Sequence, residues 1–180
     1  MGLDMYIFKT NKNEGAIRKL VNDIEKAIQA DIQDSVCIGG SYIIMRFIGD
    51  DKENSFDKLK PIAYWRKANH IHEWMSKNVL GNKPGKRTLN FGSISKLQLL
   101  QLARVCEEVL EHCITQTGEI SIDENFCMMM FPPGTTVPRS GDAEYGECFI
   151  ENVQETLRQV KSLLQTTNFQ KSKLFYFAYY

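Results

Sequence analysis

The length, composition and charge of the chain point to one broad class and exclude others. The 180 residues are 43% hydrophobic and 24% charged, which is ordinary for a globular protein of one domain with a core of its own. Basic and acidic residues number 22 each, and this formal charge of zero argues against a broad surface for extended nucleic acid or an anionic membrane, although it permits one local cationic pocket.

Cysteines and hydrophobic runs indicate the compartment. The five cysteines are odd in number and include no CxxC pair, which predicts free thiols in a reducing cytoplasm. No cationic segment precedes an apolar run, and no apolar stretch approaches the ~20 residues of a membrane span, so we expect neither a signal peptide nor a membrane protein. The first two residues suit myristoylation, but Tyr6 stands where serine or threonine is required.

The first part of the chain predicts a strand, a helix and a second strand. Residues 3–9 alternate roughly as a strand does, and Asp4 within them either lies exposed at an edge, which we favour, or turns toward a polar site. Residues 14–30 carry apolar side chains at helical spacing and predict an amphipathic helix. Residues 41–49 are rich in β-branched and aromatic side chains and predict a strand.

The stretch from Tyr64 to Trp74 is the strongest functional signal in the sequence, because it holds both tryptophans and two of the three histidines. Pro61 before it suits the first turn of a helix. Four apolar side chains recur at helical spacing and predict a helix docked on the core: Tyr64, Ala68, Ile71 and Met75.

This predicted helix carries more polar and aromatic groups on its flanks than docking requires. Two indoles, a guanidinium, an amide and two imidazoles can stack on a flat ring and hydrogen-bond a charged, oxygen-rich ligand. With a downstream arginine and tyrosine, the candidate ligand-binding residues are Tyr64, Trp65, Arg66, Lys67, Asn69, His70, His72, Trp74, Arg139 and Tyr145. The alternative is a half-buried helix whose amphipathic side chains only border the core.

A basic loop and a helix are predicted next. Residues 78–93 are rich in asparagine, glycine and lysine and predict a loop that either wraps an anionic ligand or lies on the surface. Ser95-x-x-Gln98 is a capping box that opens a helix to about Cys113. Cys106 and Cys113 lie two turns apart on that helix, but no second ligand pair converges with them, so we predict no metal site.

The last part of the chain predicts a strand, a loop, a helix and a strand. Residues 126–131 are an apolar run of strand length. The following loop, residues 135–142, contains Arg139, and a loop at the end of a buried strand is a usual place for a binding site. Residues 143–165 predict the last helix, and the aromatic residues 173–179 predict a terminal strand docked in the sheet.

Together these elements predict a single α+β domain over residues 1–180. Its sheet is expected to be small, mixed or antiparallel, with about four strands, and to be covered by about four helices. The strands are expected near residues 3–9, 41–49, 126–131 and 173–179. The sequence leaves the strand order and the oligomeric state open, so a homo-oligomer remains compatible with it.

Several motifs resemble a family of small, uncharacterised proteins of bacteriophages, prophages and bacteria. Four segments carry the resemblance, namely Met1–Tyr6, Tyr64–Trp74, Pro132-Pro133 and Glu144-Tyr145. Two departures stand out, because residues 135–139 replace a glycine- and aromatic-rich stretch and the chain ends in tyrosine instead of tryptophan; a pocket lined by those aromatics would take a different ligand here. The family brings no established activity and implies an accessory phage or bacterial protein in the cytoplasm of the bacterial host.

The first functional hypothesis is a binding protein without chemistry, similar to the small phage proteins that sequester nucleotide messengers of bacterial immunity. A tryptophan of the central stretch would stack on the base, worth about 1–3 kcal/mol. Arg66, with Lys67 or Arg139, would pair with phosphates. Asn69 and His72 would read polar edges. This hypothesis needs no catalytic residue, cofactor or metal.

Two alternatives remain open. In an enzyme, His70 or His72 would act as general acid or base on a phosphoester or glycosidic bond. Residues two apart on a helix point about 200° away from each other, so only one of them would act, paired with a carboxylate such as Glu73. In a protein–protein inhibitor of a host defence complex, exposed tryptophan, tyrosine and arginine would instead be interface hot spots.

Overall fold

Four strands and five helices make up the part of the chain that the structure describes. The structure is a computed structural model, and it describes residues 3–11, 14–33, 60–81, 89–115, 118–132, 145 and 147–179. The strands are β1 (Asp4–Thr10), β2 (Lys60–Arg66), β3 (Leu89–Ile94) and β4 (Lys173–Tyr179). The helices are α1 (Glu14–Gln33), α2 (Asn69–Asn78), α3 (Lys96–Cys113), α4 (Glu124–Met130) and α5 (Glu147–Thr166). The predicted single α+β domain is confirmed.

The strands form one antiparallel sheet in the order β2-β1-β4-β3. The first and last strands of the chain are therefore the two central ones. Tyr6 of β1 lies opposite Tyr64 on one side and Phe177 on the other. The predictions of strands at residues 3–9 and 173–179 are confirmed, and the apolar terminal strand is buried as its aromatic content requires.

Helices cover both faces of this sheet. On one face, Ile17, Val21 and Ile24 of α1 pack against Tyr6, Phe8 and the aromatic side chains of β4. On the other face, Met5 and Ile7 of β1 join a larger core built with α2, α3 and α5. Side chains that alternate along a strand point to opposite faces, so β1 contributes to both cores. Burial of each large apolar side chain stabilises the fold by about 1.5–3 kcal/mol.

Local signals explain α1 and α3. The apolar spacing in residues 14–30 leads to α1, as predicted. The predicted capping box is present at the start of α3, where Ser95 Oγ accepts from Gln98 N at 3.2 Å and Gln98 Oε1 accepts from Ser95 N at 2.8 Å. The predicted last helix is also confirmed, although α5 begins at Glu147. Among the described residues, no helix is both long and apolar enough to cross a membrane.

The prediction of a strand at residues 126–131 is wrong, because this run belongs to the short helix α4. Asp123 Oδ1 accepts from Phe126 N at 3.1 Å and caps the helix. An apolar run of this length does not distinguish a strand from a buried helical turn, and the N-cap decides between them. The predicted loop of residues 78–93 is wrong at its end, where β3 begins at Leu89. The predicted strand at residues 41–49 lies outside the described residues.

The prediction of one helix through Tyr64 and Met75 is also wrong. Residues up to Arg66 belong to β2, and α2 begins only at Asn69. Burial along the end of β2 alternates, with Ala63 and Trp65 buried and Tyr64 and Arg66 exposed, which is the period of a strand. The sheet therefore takes the first part of the stretch, and the apolar spacing at Ala68, Ile71 and Met75 is helical only in the second part.

Candidate functional site

The junction between β2 and α2 separates the predicted site residues into two groups. Lys67 adopts a left-handed backbone conformation with φ of 56°, which is uncommon for a residue other than glycine. Its N–H donates to Leu3 O at 2.7 Å, and its carbonyl accepts from Asn69 N at 2.9 Å. This turn ends β2 and starts α2 in a new direction. The residues before it and after it therefore face different surroundings.

The histidines of α2 lie in the core. His72 is 1% exposed, and its Nδ1 lies 2.7 Å from Tyr176 Oη of the central strand β4. Burial lowers the pKa of His72 to about 4, so the imidazole is neutral at pH 7. Burial also lowers the pKa of His70. Neither ring is placed to contact a ligand at the surface in this conformation.

Tyr145 and His70 belong to one aromatic cluster. The His70 ring lies 4.6 Å from the ring of Tyr145 and 4.9 Å from that of Phe149, measured between centroids. Tyr145 Oη donates to Phe131 O at 2.6 Å and so connects the position two residues before α5 to the end of α4. Burial, helped by the nearby Cys127, raises the pKa of Tyr145 to about 12. His70 and Tyr145, both predicted as ligand-binding residues, are therefore occupied in packing contacts within the protein.

The two tryptophans are also buried. Trp65 is 3% exposed, and its Nε1–H donates to Thr156 Oγ1 of α5 at 2.9 Å. Thr156 Oγ1 in turn donates to Asn152 O at 2.7 Å. Trp74 on α2 is buried in the same core. The indoles therefore join secondary-structure elements, and neither offers the exposed ring face that stacking on a ligand requires.

The exposed predicted site residues gather at the end of β2. Tyr64 is 45% exposed, Arg66 and Lys67 are exposed, and Asn69 is half-buried. Tyr64 and Arg66 lie two residues apart on a strand and so point to the same face of the sheet. Arg139 lies outside the described residues. Tyr64 and Arg66 thus share one face of the sheet, and the exposed Lys67 follows directly after them.

Asp4 and Tyr6 of β1 adjoin this surface and form, with Tyr64 and Arg66, what we call the sheet-face cluster. Tyr64 Oη donates to Asp4 Oδ1 at 2.7 Å, and the rings of Tyr6 and Tyr64 lie 5.0 Å apart between centroids. In the strand register Asp4 lies opposite Arg66. Asp4 is 8% exposed, so the favoured prediction of an exposed edge carboxylate is wrong, because β1 is a central strand.

The electrostatics of the sheet-face cluster hold both phenols in their protonated form. Burial and the hydrogen bond to Asp4 raise the pKa of Tyr64, while the positive charge of Arg66 acts weakly in the opposite direction. Burial, together with the charge of Asp4, raises the pKa of Tyr6 to about 12. Neither hydroxyl is poised as a nucleophile at neutral pH, and the cluster is suited to recognition by hydrogen bonding and charge.

A groove of about 420 Å³ runs along the outer edge of β2, between the strand and α5. Eight residues line it, namely Pro61, Ile62, Ala63, Tyr64, Glu155, Arg158, Gln159 and Ser162. Tyr64 thus belongs both to the lining of the groove and to the sheet-face cluster. Arg158 Nε lies 2.7 Å from Glu155 Oε2, and this hydrogen bond lowers the pKa of Glu155.

Gln159 closes the edge of β2 at the back of this groove. Its Oε1 accepts from Tyr64 N at 2.9 Å, and its Nε2 donates to Tyr64 O at 2.9 Å. The side-chain amide thus makes the two hydrogen bonds that a further strand would make at this position. It also holds the backbone of Tyr64 at a fixed distance from α5.

Sequence reasoning missed the contributions of Gln159 and Tyr6. Gln159 gave no signal, since a glutamine on a helix does not reveal which strand edge it meets. Asp4 did give a signal in the sequence, as an acidic residue in an apolar strand.

Among the described residues, no group of three potential ligands could hold a metal ion. Comparison with protein-family models, curated proteins and solved structures finds no match to this chain. The family resemblance therefore stays a prediction.

Proposed function

We propose that this is a non-catalytic protein that sequesters a nucleotide or nucleotide-derived signal at the exposed end of β2. The observation that carries the proposal is the common sheet face of Tyr64 and Arg66, followed directly by the exposed Lys67, beside a groove and next to the buried carboxylate of Asp4. The proposed setting, a phage protein acting against host immunity in the bacterial cytoplasm, rests on the sequence motifs alone.

In this proposal Tyr64 replaces the tryptophans as the stacking platform. Its hydroxyl is held by Asp4 and its backbone by Gln159, so the exposed ring is ordered before a ligand arrives. A pre-ordered side chain loses less conformational entropy on binding. Stacking of one base on such a ring contributes about 1–3 kcal/mol.

Arg66 and Lys67 supply the charge for the phosphates. A guanidinium binds a phosphate through two parallel hydrogen bonds, and a neighbouring ammonium adds a compact positive charge. Both side chains are exposed, so they reach a ligand without a change in the core. Each charge-assisted hydrogen bond contributes about 1.5–3 kcal/mol, so removal of Arg66 is expected to weaken binding about tenfold or more.

The histidine-based enzyme hypothesis receives less support. His70 and His72 are buried, and the lowered pKa of each favours the neutral form. A general acid or base must reach the proton that it transfers, within hydrogen-bond distance or through one water. In this conformation the core separates both imidazoles from the surface of β2.

Thermal unfolding with a nucleotide panel tests the proposal. Adenosine triphosphate, a cyclic mononucleotide and a cyclic dinucleotide are compared with inorganic pyrophosphate. A bound ligand stabilises the protein by RT ln(1 + [L]/Kd), about 2.7 kcal/mol at a hundredfold excess over Kd. We expect at least one nucleotide to raise the melting temperature more than pyrophosphate does, and to be recovered intact by chromatography after denaturation.

Matched variants locate the site. Arg66→Ala and Tyr64→Ala are each expected to weaken nucleotide binding and therefore to reduce the nucleotide-dependent shift. The control is Arg104→Ala, which removes an exposed arginine of α3 that pairs with Glu108. The proposal is wrong if no nucleotide shifts the melting temperature, if Arg104→Ala loses the shift equally, or if the nucleotide is recovered cleaved. The first outcome would favour the protein–protein inhibitor.

A further inference from the structure

Two buried thiols meet where the end of α3 contacts α4. Cys113 Sγ lies 3.4 Å from Cys127 Sγ, and both side chains are fully buried. The two cysteines are 14 positions apart in the chain and lie on different helices. Their approach is therefore a result of tertiary packing, and the spacing in the sequence gave no indication of it.

We propose that Cys113 and Cys127 are an oxidation site that forms a reversible disulfide and locks α4 onto α3. Formation of the bond requires the sulfur atoms to approach from 3.4 Å to the length of an S–S bond, a movement within reach of side-chain rotation. The inference is independent of the proposed ligand. It assigns a redox function to two residues that were expected only to be free thiols.

The short helix α4 is the element that such a bond would change most. Cys127 is its only buried residue between Glu124 and Met130, and Phe131 follows as a second anchor. Met128 and Met129 are exposed. An element held by so few buried groups opens more readily than the core helices. A covalent bond at Cys127 would therefore suppress its local opening.

The reaction balances with a peroxide as the oxidant. One sulfur, as its thiolate, attacks an oxygen of hydrogen peroxide; the O–O bond breaks, and a sulfenic acid and water result. The second sulfur then attacks the sulfenic sulfur, the S–O bond breaks, and the hydroxide leaves with the thiol proton as a second water. Two thiols lose two electrons and two protons in total, and the peroxide is reduced to two waters.

Burial makes the reaction slow without preventing it. Burial, together with the adjacent Cys113 thiol, raises the pKa of Cys127, so the reactive thiolate is rare in the closed state. Local opening of α4 admits peroxide, and the adjacent second thiol then captures the sulfenic acid before further oxidation. The exposed Cys148 is expected to oxidise first, but it has no such neighbour among the described residues.

Two other cysteines serve as matched controls. Cys106 is as buried as Cys113 and lies on the same helix, two turns earlier, but no described thiol is within hydrogen-bond distance of it. Cys148 is exposed at the start of α5. The Cys148→Ser variant removes disulfides that form through the exposed Cys148, and Cys106→Ser removes the other buried thiol of α3 as an alternative partner.

The test treats the full chain with hydrogen peroxide, alkylates the remaining thiols and maps non-reduced peptides by mass spectrometry. We expect a peptide pair linked through Cys113 and Cys127, with the loss of two hydrogen atoms, in the wild type and in Cys106→Ser and Cys148→Ser. Dithiothreitol should release it. Recovery of these two cysteines unlinked, after Cys148 is fully oxidised, would overturn the proposal. Because the wild type itself is mapped, no variant that fails to fold can obscure the result.

Hydrogen exchange tests the locking function separately. In the oxidised protein we expect the backbone amides of Cys127 and Phe131 to exchange about tenfold more slowly, since their opening now carries a covalent constraint. Both donate backbone hydrogen bonds within or next to α4. Exchange in α1 should not change. Unchanged or faster exchange in α4 after disulfide formation would show that the bond does not lock the helix.

Discussion

The end of β2 and the helix α2 come from one continuous stretch of polar and aromatic residues, yet their environments are opposite. Tyr64, Arg66 and Lys67 are exposed, whereas His70 and His72 are buried three to eight residues later. One region places its polar and aromatic side chains on the surface, and the other uses them for core contacts. Residue types therefore indicate a candidate binding site, but the backbone conformation determines which of their side chains reach the surface.

The largest expected effect on stability is a difference between substitutions at the neighbouring residues Trp65 and Arg66. Trp65→Ala removes a buried indole and its hydrogen bond to α5, so we expect the free energy of unfolding to fall by about 3–5 kcal/mol. Arg66→Ala at the exposed neighbouring position should change it by less than about 0.5 kcal/mol. Urea unfolding measures both. A similar loss in the two variants would mean that β2 does not alternate between core and surface.

A second prediction concerns the pH dependence that His72 contributes. Its folded-state pKa of about 4 lies below the ordinary value of 6.5, so the unfolded chain takes up the proton first as pH falls. Stability should therefore be flat above about pH 6.5 and decline toward pH 4, by about 3 kcal/mol for this group. His72→Gln, which has no titrating group, should lose that part of the decline. Identical pH profiles of the two proteins would contradict the buried neutral imidazole.

A third prediction concerns the edge of β2. Gln159→Ala leaves the N–H and the carbonyl of Tyr64 without their partner, so we expect stability to fall by about 1–3 kcal/mol and the Tyr64 amide to exchange faster. The matched control is Arg158→Ala, which removes an exposed ion pair with Glu155 and should change stability little, because solvent screens that pair. If Gln159→Ala is no more destabilising than this control, the hydrogen bonds of the Gln159 amide to the edge of β2 do not stabilise the fold.

The smallest effect is expected for Tyr64→Phe, which keeps the exposed ring but removes its hydrogen bond to Asp4. The free energy of unfolding should fall by about 1 kcal/mol, because the buried carboxylate loses one donor. Nucleotide binding should weaken less than in Tyr64→Ala, since the stacking surface remains. Thermal unfolding with and without ligand measures both quantities. Equal binding losses in the two variants would show that the hydroxyl, and not the ring, is the important part.

Much of the fold was predictable where the signal is local. The apolar spacing of residues 14–30 was sufficient for α1, and Ser95 with Gln98 marked the first residue of α3. The aromatic terminal strand had to be buried, because its side chains are too apolar to lie in water. These elements follow from interactions between residues close in the chain or from burial alone.

The wrong secondary-structure predictions concern segments whose local sequence is compatible with both a helix and a strand. The run at residues 126–131 satisfies a strand or a helix, and its cap at Asp123 together with packing against α3 selected the helix. The spacing of Tyr64 from Ala68 and Ile71 fitted a helix, but Tyr64 pairs with Tyr6 of β1 and belongs to the sheet. Of the candidate site, the exposed cations were identified from residue type, whereas the contact of Gln159 with Tyr64 depended on packing of α5 against β2.

By itself the sequence determined that the chain forms an α+β domain, where three of its helices lie, and that its central stretch is rich in groups capable of recognition. Only the tertiary structure decided that β2 ends at Arg66, that the tryptophans and histidines of this stretch belong to the core, and that Asp4 supports Tyr64 from the neighbouring strand. The physical reason is that hydrophobic periodicity is a property of near neighbours, whereas strand pairing brings together residues far apart in the chain, such as Asp4 and Tyr64, which are 60 positions apart.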